Sequence, residues 1–172
     1  SYSAPLEDRR NLLCLDFNEN TLGPSKKVYK AIQDINLNEI SIYPEYNFLK
    51  QFLSNHYYES RQFDPEEIGL FNGADAAINA IFNSFGDRDE IFLTTNPTFG
   101  YYSPCSEIQG MRKITCAYEG ENFIFPIKRF KEKIIKYKPK LIFICNPNNP
   151  TGTVVSAQEI IKLANLNKNS LI

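Results

Sequence analysis

The most informative stretch of the sequence is Leu141-Ile-Phe-Ile-Cys-Asn-Pro-Asn-Asn-Pro-Thr-Gly-Thr153. Its first five residues form a continuous apolar run with β-branched members, which is typical of a strand buried on both faces of a parallel sheet. The two prolines that follow cannot donate to a sheet's hydrogen-bond ladder, and three asparagines supply amide donors and acceptors. Ligands of open α/β sheets bind beyond the carboxyl ends of strands. The loop is therefore a candidate binding segment, although turn formation alone also explains its composition.

The composition limits the classes of function. A chain of 172 residues with a net charge of -1 and a pI of about 5.9 can form one ordinary domain, and it lacks the basic excess of nucleic-acid or membrane-surface binding proteins. The sequence has no apolar run of transmembrane length, and its N-terminus has no secretion-signal pattern.

The cysteines and the histidine indicate no metal site. The four cysteines are scattered without a C-x-x-C pair, and the single histidine, His56, follows Phe52 by one helical turn. This pattern favours reduced cysteines, a cytoplasmic location and a structural role for His56.

Apolar periodicity predicts alternating strands and helices over most of the chain. This alternation predicts an α/β fold, with a mainly parallel sheet and helices on both faces. The predicted strands are 68–71, 90–94, 112–118 and 141–145, with a short strand or ledge at 12–15. Five helices are predicted. The first begins after Ser25, the next three contain residues 48–56, 77–85 and 130–137, and the last runs from Ser156 to Leu163. The end of the chain, Ser170-Leu-Ile172, resembles the start of another strand, so we expect the N-terminal part of a longer protein; a short natural protein is the alternative.

Two further loops could carry chemistry. Gly73-Ala-Asp75 is a glycine turn ahead of a helix, where free backbone N–H groups and the helix dipole suit a phosphate. Pro97-Thr-Phe-Gly-Tyr-Tyr102 places three aromatic residues after a strand, where one ring could stack on a flat heterocycle. Taken singly, a turn and a packed aromatic cluster are the commoner explanations.

The loop 146–152 resembles the signature of pyridoxal phosphate (PLP) aminotransferases of the aspartate-aminotransferase superfamily, and the whole chain is most similar to the histidinol-phosphate aminotransferases among them. The glycine turn, the aromatic loop, Ile42-Tyr-Pro44 and the segment Asn18-Glu-Asn-x-x-Gly-Pro24 match in order and spacing. The resemblance implies the type-I PLP-dependent fold, with an N-terminal arm and first helix at 1–35 and the first part of the large domain at 36–172, incomplete at its C-terminus.

The resemblance also implies roles for cofactor-binding residues. The backbone amides of Ala74 and Asp75 would hold the PLP phosphate. Phe99, where the family usually has tyrosine, would stack on the pyridine ring. Asn149 would donate to the phenolate oxygen, leaving Asn146 and Asn148 to shape the loop.

Other implied roles concern the partner subunit and the substrate. Tyr43 would reach the PLP phosphate of the neighbouring subunit, which predicts a homodimer with shared sites. Tyr2 and Asn18 would lie near the substrate, although an interface or capping role explains either residue equally well.

The implied reaction moves an amino group from glutamate to imidazole-acetol phosphate, reversibly giving histidinol phosphate and 2-oxoglutarate, in histidine biosynthesis. The Schiff-base lysine, the acid facing the pyridine nitrogen and the substrate-binding arginines lie beyond Ile172 in the family. We therefore assign no catalytic residue to this chain and expect it to be inactive alone. The alternatives are an aminotransferase or decarboxylase for another amino acid or phosphorylated amine, and a non-catalytic truncated relative.

Overall fold

The computed structural model describes residues 8–56 and 63–172. The described residues up to 70 form one unit, and residues 71–172 form another. The predicted boundary after residue 35, between the N-terminal arm with its first helix and the large domain, stays a prediction.

The first unit contains three helices, α1 (Lys26–Gln33), α2 (Leu37–Ser41) and α3 (Asn47–His56), with 3-10 turns at Arg9–Asn11 and Pro65–Glu67. Ser25 caps α1 as predicted, because its hydroxyl accepts from the N–H of Val28 at 3.3 Å. The prediction missed α2, which begins with a capping box between Asn36 and Glu39. His56 stacks on Phe52 with ring centroids 4.7 Å apart.

Two predicted strands are wrong. Residues 12–15 and 68–71 are not strands, although Ile68 has an extended backbone. An apolar extended segment becomes a strand only when a neighbour completes its hydrogen-bond ladder. Neither segment has such a neighbour among the described residues.

The second unit is built on a parallel sheet of β1 (Ile91–Asn96), β2 (Arg112–Ala117) and β3 (Leu141–Phe143) in the order β2-β1-β3. Its helices are α4 (Gly73–Phe85), α5 (Tyr102–Ile108), α6 (Ile127–Tyr137) and α7 (Ala157–Ala164). Leu171 forms an isolated parallel bridge with Leu141. The predicted strand at 141–145 is therefore real but ends at Phe143.

Consecutive strand residues enter two separate cores, because side chains alternate across a sheet. Phe92 and Leu141 join Phe82 of α4 and Tyr102 of α5 in one cluster. Leu93 and Ile142 join a second cluster with α6 and α7, whose buried members are Phe130, Ile134 and Leu163. The predicted α/β fold with helices on both faces is confirmed.

Candidate cofactor site

The loop after β3 is held by two of its three asparagines. Asn146 exchanges two hydrogen bonds with the backbone of Val155, at 3.0 and 3.1 Å. The amide of Asn148, a side chain only 3% exposed, donates to Thr151 Oγ1 at 2.8 Å. The backbone of Asn148 also accepts from the N–H of Gly152 at 2.7 Å. These two side chains are committed to shaping the loop.

Asn148 also joins this loop to the loop after β1. Its Oδ1 accepts from Thr98 Oγ1 at 3.0 Å, and its Nδ2 donates to the carbonyl of Pro97 at 3.2 Å. Thr98 therefore fixes the spacing between the two loops. The sequence motifs did not identify Thr98 as a functional residue. The position of its hydroxyl next to Phe99, the predicted stacking residue, was the signal that could have identified it.

The ring of Phe99 is half-buried beside the first core cluster. It makes an edge contact with Tyr102, with centroids 5.6 Å apart, and a tilted contact with Tyr101 at 6.5 Å. The aromatic neighbours orient the ring and leave part of it accessible.

The first turn of α4 presents backbone N–H groups. Gly73 has a φ of +80°, which favours glycine, and Asn72 makes no side-chain cap. Ala74 is exposed. Ile78, one turn further along the helix, packs against the same cluster as Phe99, so α4 and the Phe99 loop lie on the same face of the sheet. The positive end of the α4 dipole and uncapped amides suit an anion at this position.

The side chain of Asn149, unlike that of Asn148, takes no part in the hydrogen bonds that hold the loop. Asn149 is exposed, and its side-chain amide has no hydrogen-bond partner among residues 8–56 and 63–172. Because Asn148 is fixed to the Phe99 loop, the backbone carries Asn149 to the same corner of the sheet. The amide is available to a ligand there.

Residues 10–172 match the family model for class I and II aminotransferases. The chain belongs to this family. It is 35% identical over 150 residues to a histidinol-phosphate aminotransferase of Caldanaerobacter subterraneus subsp. tengcongensis, a match that covers 87% of this chain and 42% of the relative. The chain thus spans less than half the length of that relative.

Two solved structures agree with the fold. A putative histidinol-phosphate aminotransferase from Erwinia carotovora atroseptica has a TM-score of 0.75 at 28% identity, with 91% of this chain and 44% of that chain covered. A histidinol-phosphate aminotransferase from Sinorhizobium meliloti, solved with pyridoxal-5'-phosphate, has a TM-score of 0.78 at 20% identity, with 90% and 41% covered. The predicted family and fold class are confirmed.

Two further predicted residues, Tyr43 and Asn18, lie outside the sheet unit. Tyr43 and Asn18 belong to the first unit, where Tyr43 is 95% exposed and Asn18 has a left-handed backbone with a φ of 52°. Tyr2 lies outside the described residues.

An open cleft of about 620 Å³ adjoins Phe99 on the side of β2. Polar residues line most of it, among them Ser103, whose hydroxyl accepts from Lys113 Nζ at 2.8 Å. Ala74 and Asn149 do not line this cleft. The candidate cofactor site, defined as residues 73–75, 98–99 and 148–149, therefore shares only Thr98 and Phe99 with this cleft.

Two tyrosines near the strand ends stay protonated over the neutral range. Burial raises the pKa of Tyr102, and its contact with Cys145 raises that pKa further. Burial also raises the pKa of Tyr118, whose hydroxyl accepts from Thr95 Oγ1 at 3.3 Å. Both groups therefore serve packing and hydrogen bonding.

None of the described helices is long and apolar enough to cross a membrane. The described residues also contain no group of three or more potential metal-ligating side chains.

Proposed function

We propose that the whole protein is a PLP-dependent aminotransferase that interconverts histidinol phosphate and imidazole-acetol phosphate, with glutamate and 2-oxoglutarate as the second pair. The observation that carries the proposal is the fastening of the Phe99 loop to the Asn149 loop through Asn148, on a family-typical sheet. The name of the relative that is 35% identical supports the choice of substrate.

The residues of the candidate cofactor site fit PLP, which has a phosphate, a flat ring and a phenolate oxygen. In this proposal the amides of Ala74 and Asp75 donate to the phosphate at the uncapped start of α4. Phe99 covers one face of the ring, and the unpartnered amide of Asn149 donates to the phenolate oxygen. Bound PLP supplies an electron sink for the substrate carbon that loses its proton.

The hydrogen bond from Asn149 would affect the cofactor's electronic state. An amide donor beside a phenolate stabilises its negative charge, most strongly where water is excluded. Phe99 contributes to that exclusion by covering the ring. Tyr43 would add a hydroxyl to the phosphate of the neighbouring subunit in a homodimer.

The proposal assigns the covalent attachment of PLP to a lysine outside residues 1–172. The lysines between 128 and 140 are in polar settings on α6 and the loop after it, and none lies in the candidate cofactor site. Borohydride reduction of the whole PLP-loaded protein, followed by peptide mass spectrometry, should find no labelled lysine within residues 1–172. A labelled lysine inside residues 1–172 would contradict the assignment.

Steady-state kinetics of the whole protein test the substrate. With 2-oxoglutarate as acceptor, we expect kcat/KM for histidinol phosphate to exceed that for phenylalanine by at least about tenfold, because a site built for a phosphate leaves its polar groups unpaired with an apolar substrate. A preference for phenylalanine would point to an aromatic aminotransferase. No transfer to any acceptor would favour the non-catalytic alternative.

A further inference from the structure

The guanidinium of Arg9 contacts residues on both sides of Asn18. Its Nη2 lies 2.5 Å from Asp16 Oδ1 and 3.6 Å from Glu19 Oε2. Its Cζ lies 5.0 Å from the centre of the Phe17 ring. One side chain, only 14% exposed, thus fastens three of the four residues from 16 to 19.

Asn18 is the member of this segment with no ion pair, hydrogen bond or ring contact to Arg9 in the described residues. Its backbone is left-handed, a conformation that asparagine tolerates better than most residues. Its side chain is exposed and has no hydrogen-bond partner in the described parts of the chain. The next turn is fixed separately, because Asn20 accepts from the N–H of Leu22 and donates to the carbonyl of Gly23. A polar side chain is therefore presented from a backbone held before and after it.

We propose that Arg9 is a positioning residue that holds segment 16–19 so that the amide of Asn18 reaches a polar group of the substrate. This inference rests on the proposed function and on the family resemblance, which implies that Asn18 lies near the substrate. Arg9 itself need not touch the substrate. Its Nη2 contacts both carboxylates while its Cζ lies over an aromatic ring, a combination that an ammonium group reproduces only in part.

Two simpler roles for Arg9 agree less well with the contacts. Anion binding is disfavoured because one guanidinium faces two carboxylates, which leaves the cluster with a net negative charge. A role in stability alone is disfavoured because the carboxylates are more than half exposed and the buried Nη1 lacks a hydrogen-bond partner among the described residues. Exposed ion pairs stabilise a fold little, and an unpaired buried donor destabilises it.

A double-mutant cycle on the whole PLP-loaded protein tests the coupling between Arg9 and Asn18. Asn18→Gly removes the amide while permitting the left-handed backbone. We expect Asn18→Gly and Arg9→Met each to raise KM for histidinol phosphate by about five- to tenfold with little change in kcat, and the double variant to match either single variant. Arg9→Lys should recover part of the loss.

Arg129→Met is the matched control. Arg129 also pairs with an exposed carboxylate, that of Glu119 at 3.2 Å, but lies on α6 in the sheet unit. We expect it to leave KM unchanged. Additive KM effects of Arg9→Met and Asn18→Gly, or an unchanged KM in Arg9→Met when Asn18→Gly raises it, would overturn the inference and leave the proposed function standing.

A second measurement does not depend on activity. Amide hydrogen exchange of residues 16–19 should become at least about tenfold faster in Arg9→Met, because local opening is no longer opposed by the guanidinium, and should not change in Arg129→Met. Unchanged exchange in Arg9→Met would overturn the positioning role even if the protein proved not to transaminate.

Discussion

Asn148 and Asn149 are adjacent and chemically identical, yet their amides have different surroundings. Asn148 is 3% exposed, and its side-chain amide forms hydrogen bonds with Pro97, Thr98 and Thr151. Asn149 is exposed, and its amide has no such partner in the described chain. A side chain already hydrogen-bonded on both its oxygen and its nitrogen has little left for a ligand. The geometry therefore gives a physical reason for choosing Asn149 as the cofactor contact and Asn148 as its support.

Phe99 tests the cofactor site at the scale of one side chain. We expect Phe99→Ala in the whole protein to weaken PLP retention by ~1–3 kcal/mol, because a stacked aromatic face is lost. Equilibrium dialysis against PLP measures this. The control is Phe123→Ala, which removes a partly exposed ring that packs on Tyr118. Equal PLP affinity in Phe99→Ala and the control would remove Phe99 from the site.

Tyr102 gives a pH-dependent prediction. Burial raises the pKa of its hydroxyl above the ordinary value of 10.0, so the unfolded state loses this proton at a lower pH than the folded state. The stabilising effect is therefore complete below pH 10 and is lost as the pH rises further.

Urea unfolding at a series of pH values checks this. Tyr102→Phe should show a smaller loss of unfolding free energy above pH 10 than the unmodified protein. Tyr46→Phe, at an exposed tyrosine, should keep the full loss. Identical curves for Tyr102→Phe and the unmodified protein would contradict the assignment.

At the scale of elements, the junction between α4 and β1 depends on a residue without a side chain. A Cβ at Gly86 would lie 2.7 Å from both Met111 Sδ and the carbonyl of Phe82. The thioether can move aside, but the carbonyl belongs to the helix backbone and also accepts from the N–H of Gly86 at 2.9 Å. The turn by which the chain leaves α4 therefore requires glycine.

We expect Gly86→Ala to lower the free energy of unfolding by ~1–3 kcal/mol, the usual effect of overpacking a buried position. Gly100→Ala is the matched control, since a Cβ there would meet nothing within 4 Å. Chemical denaturation of both variants gives the comparison. A Gly86→Ala variant as stable as Gly100→Ala would show that the junction relaxes freely.

The sequence predicted a strand correctly where a neighbouring strand pairs with it in the fold. The strands predicted at 90–94 and 141–145 correspond to β1 and β3, whose apolar runs are recognisable because the two strands pair with each other and are covered on both faces. The run at 68–71 carries the same signal but has no ladder partner in the described chain, and periodicity alone does not report pairing. Helix α5 was missed because it is seven residues long and contains Pro104.

The same reasoning separates the predictable part of the site from the rest. Strand-end loops are visible in sequence as punctuation after apolar runs, and the motif order placed Ala74, Phe99 and Asn149 on them. The bond between Thr98 and Asn148 joins residues 50 positions apart. No local pattern encodes such a contact, so it emerged only from the fold.

At the scale of the whole molecule, the first unit exposes many large apolar side chains. Leu37, Ile40 and Phe48 are 81%, 69% and 80% exposed, and Tyr43 is 95% exposed. Large apolar side chains that are exposed in such number usually contact another surface. This supports the proposed homodimer, in which Tyr43 would complete the site of the neighbouring subunit.

Mixed dimers test this shared site without relying on the loss of activity alone. Tyr43→Ala and Asn149→Ala chains should each be nearly inactive as homodimers. When the two chains are unfolded together and refolded, one site of each mixed dimer would contain an intact Tyr43 from one chain and an intact Asn149 from the other. Random mixing makes half of the dimers mixed, and one of the two sites in each mixed dimer is intact. Recovery to about a quarter of the unmodified activity is therefore expected for a two-fold symmetric pair.

A mixture of Asn149→Ala and Phe99→Ala chains is the control. Because both residues come from the same chain's site, this mixture should recover nothing beyond the residual activities of its two parents. Equal recovery in the two mixtures, or none in either, would place Tyr43 outside its neighbour's site.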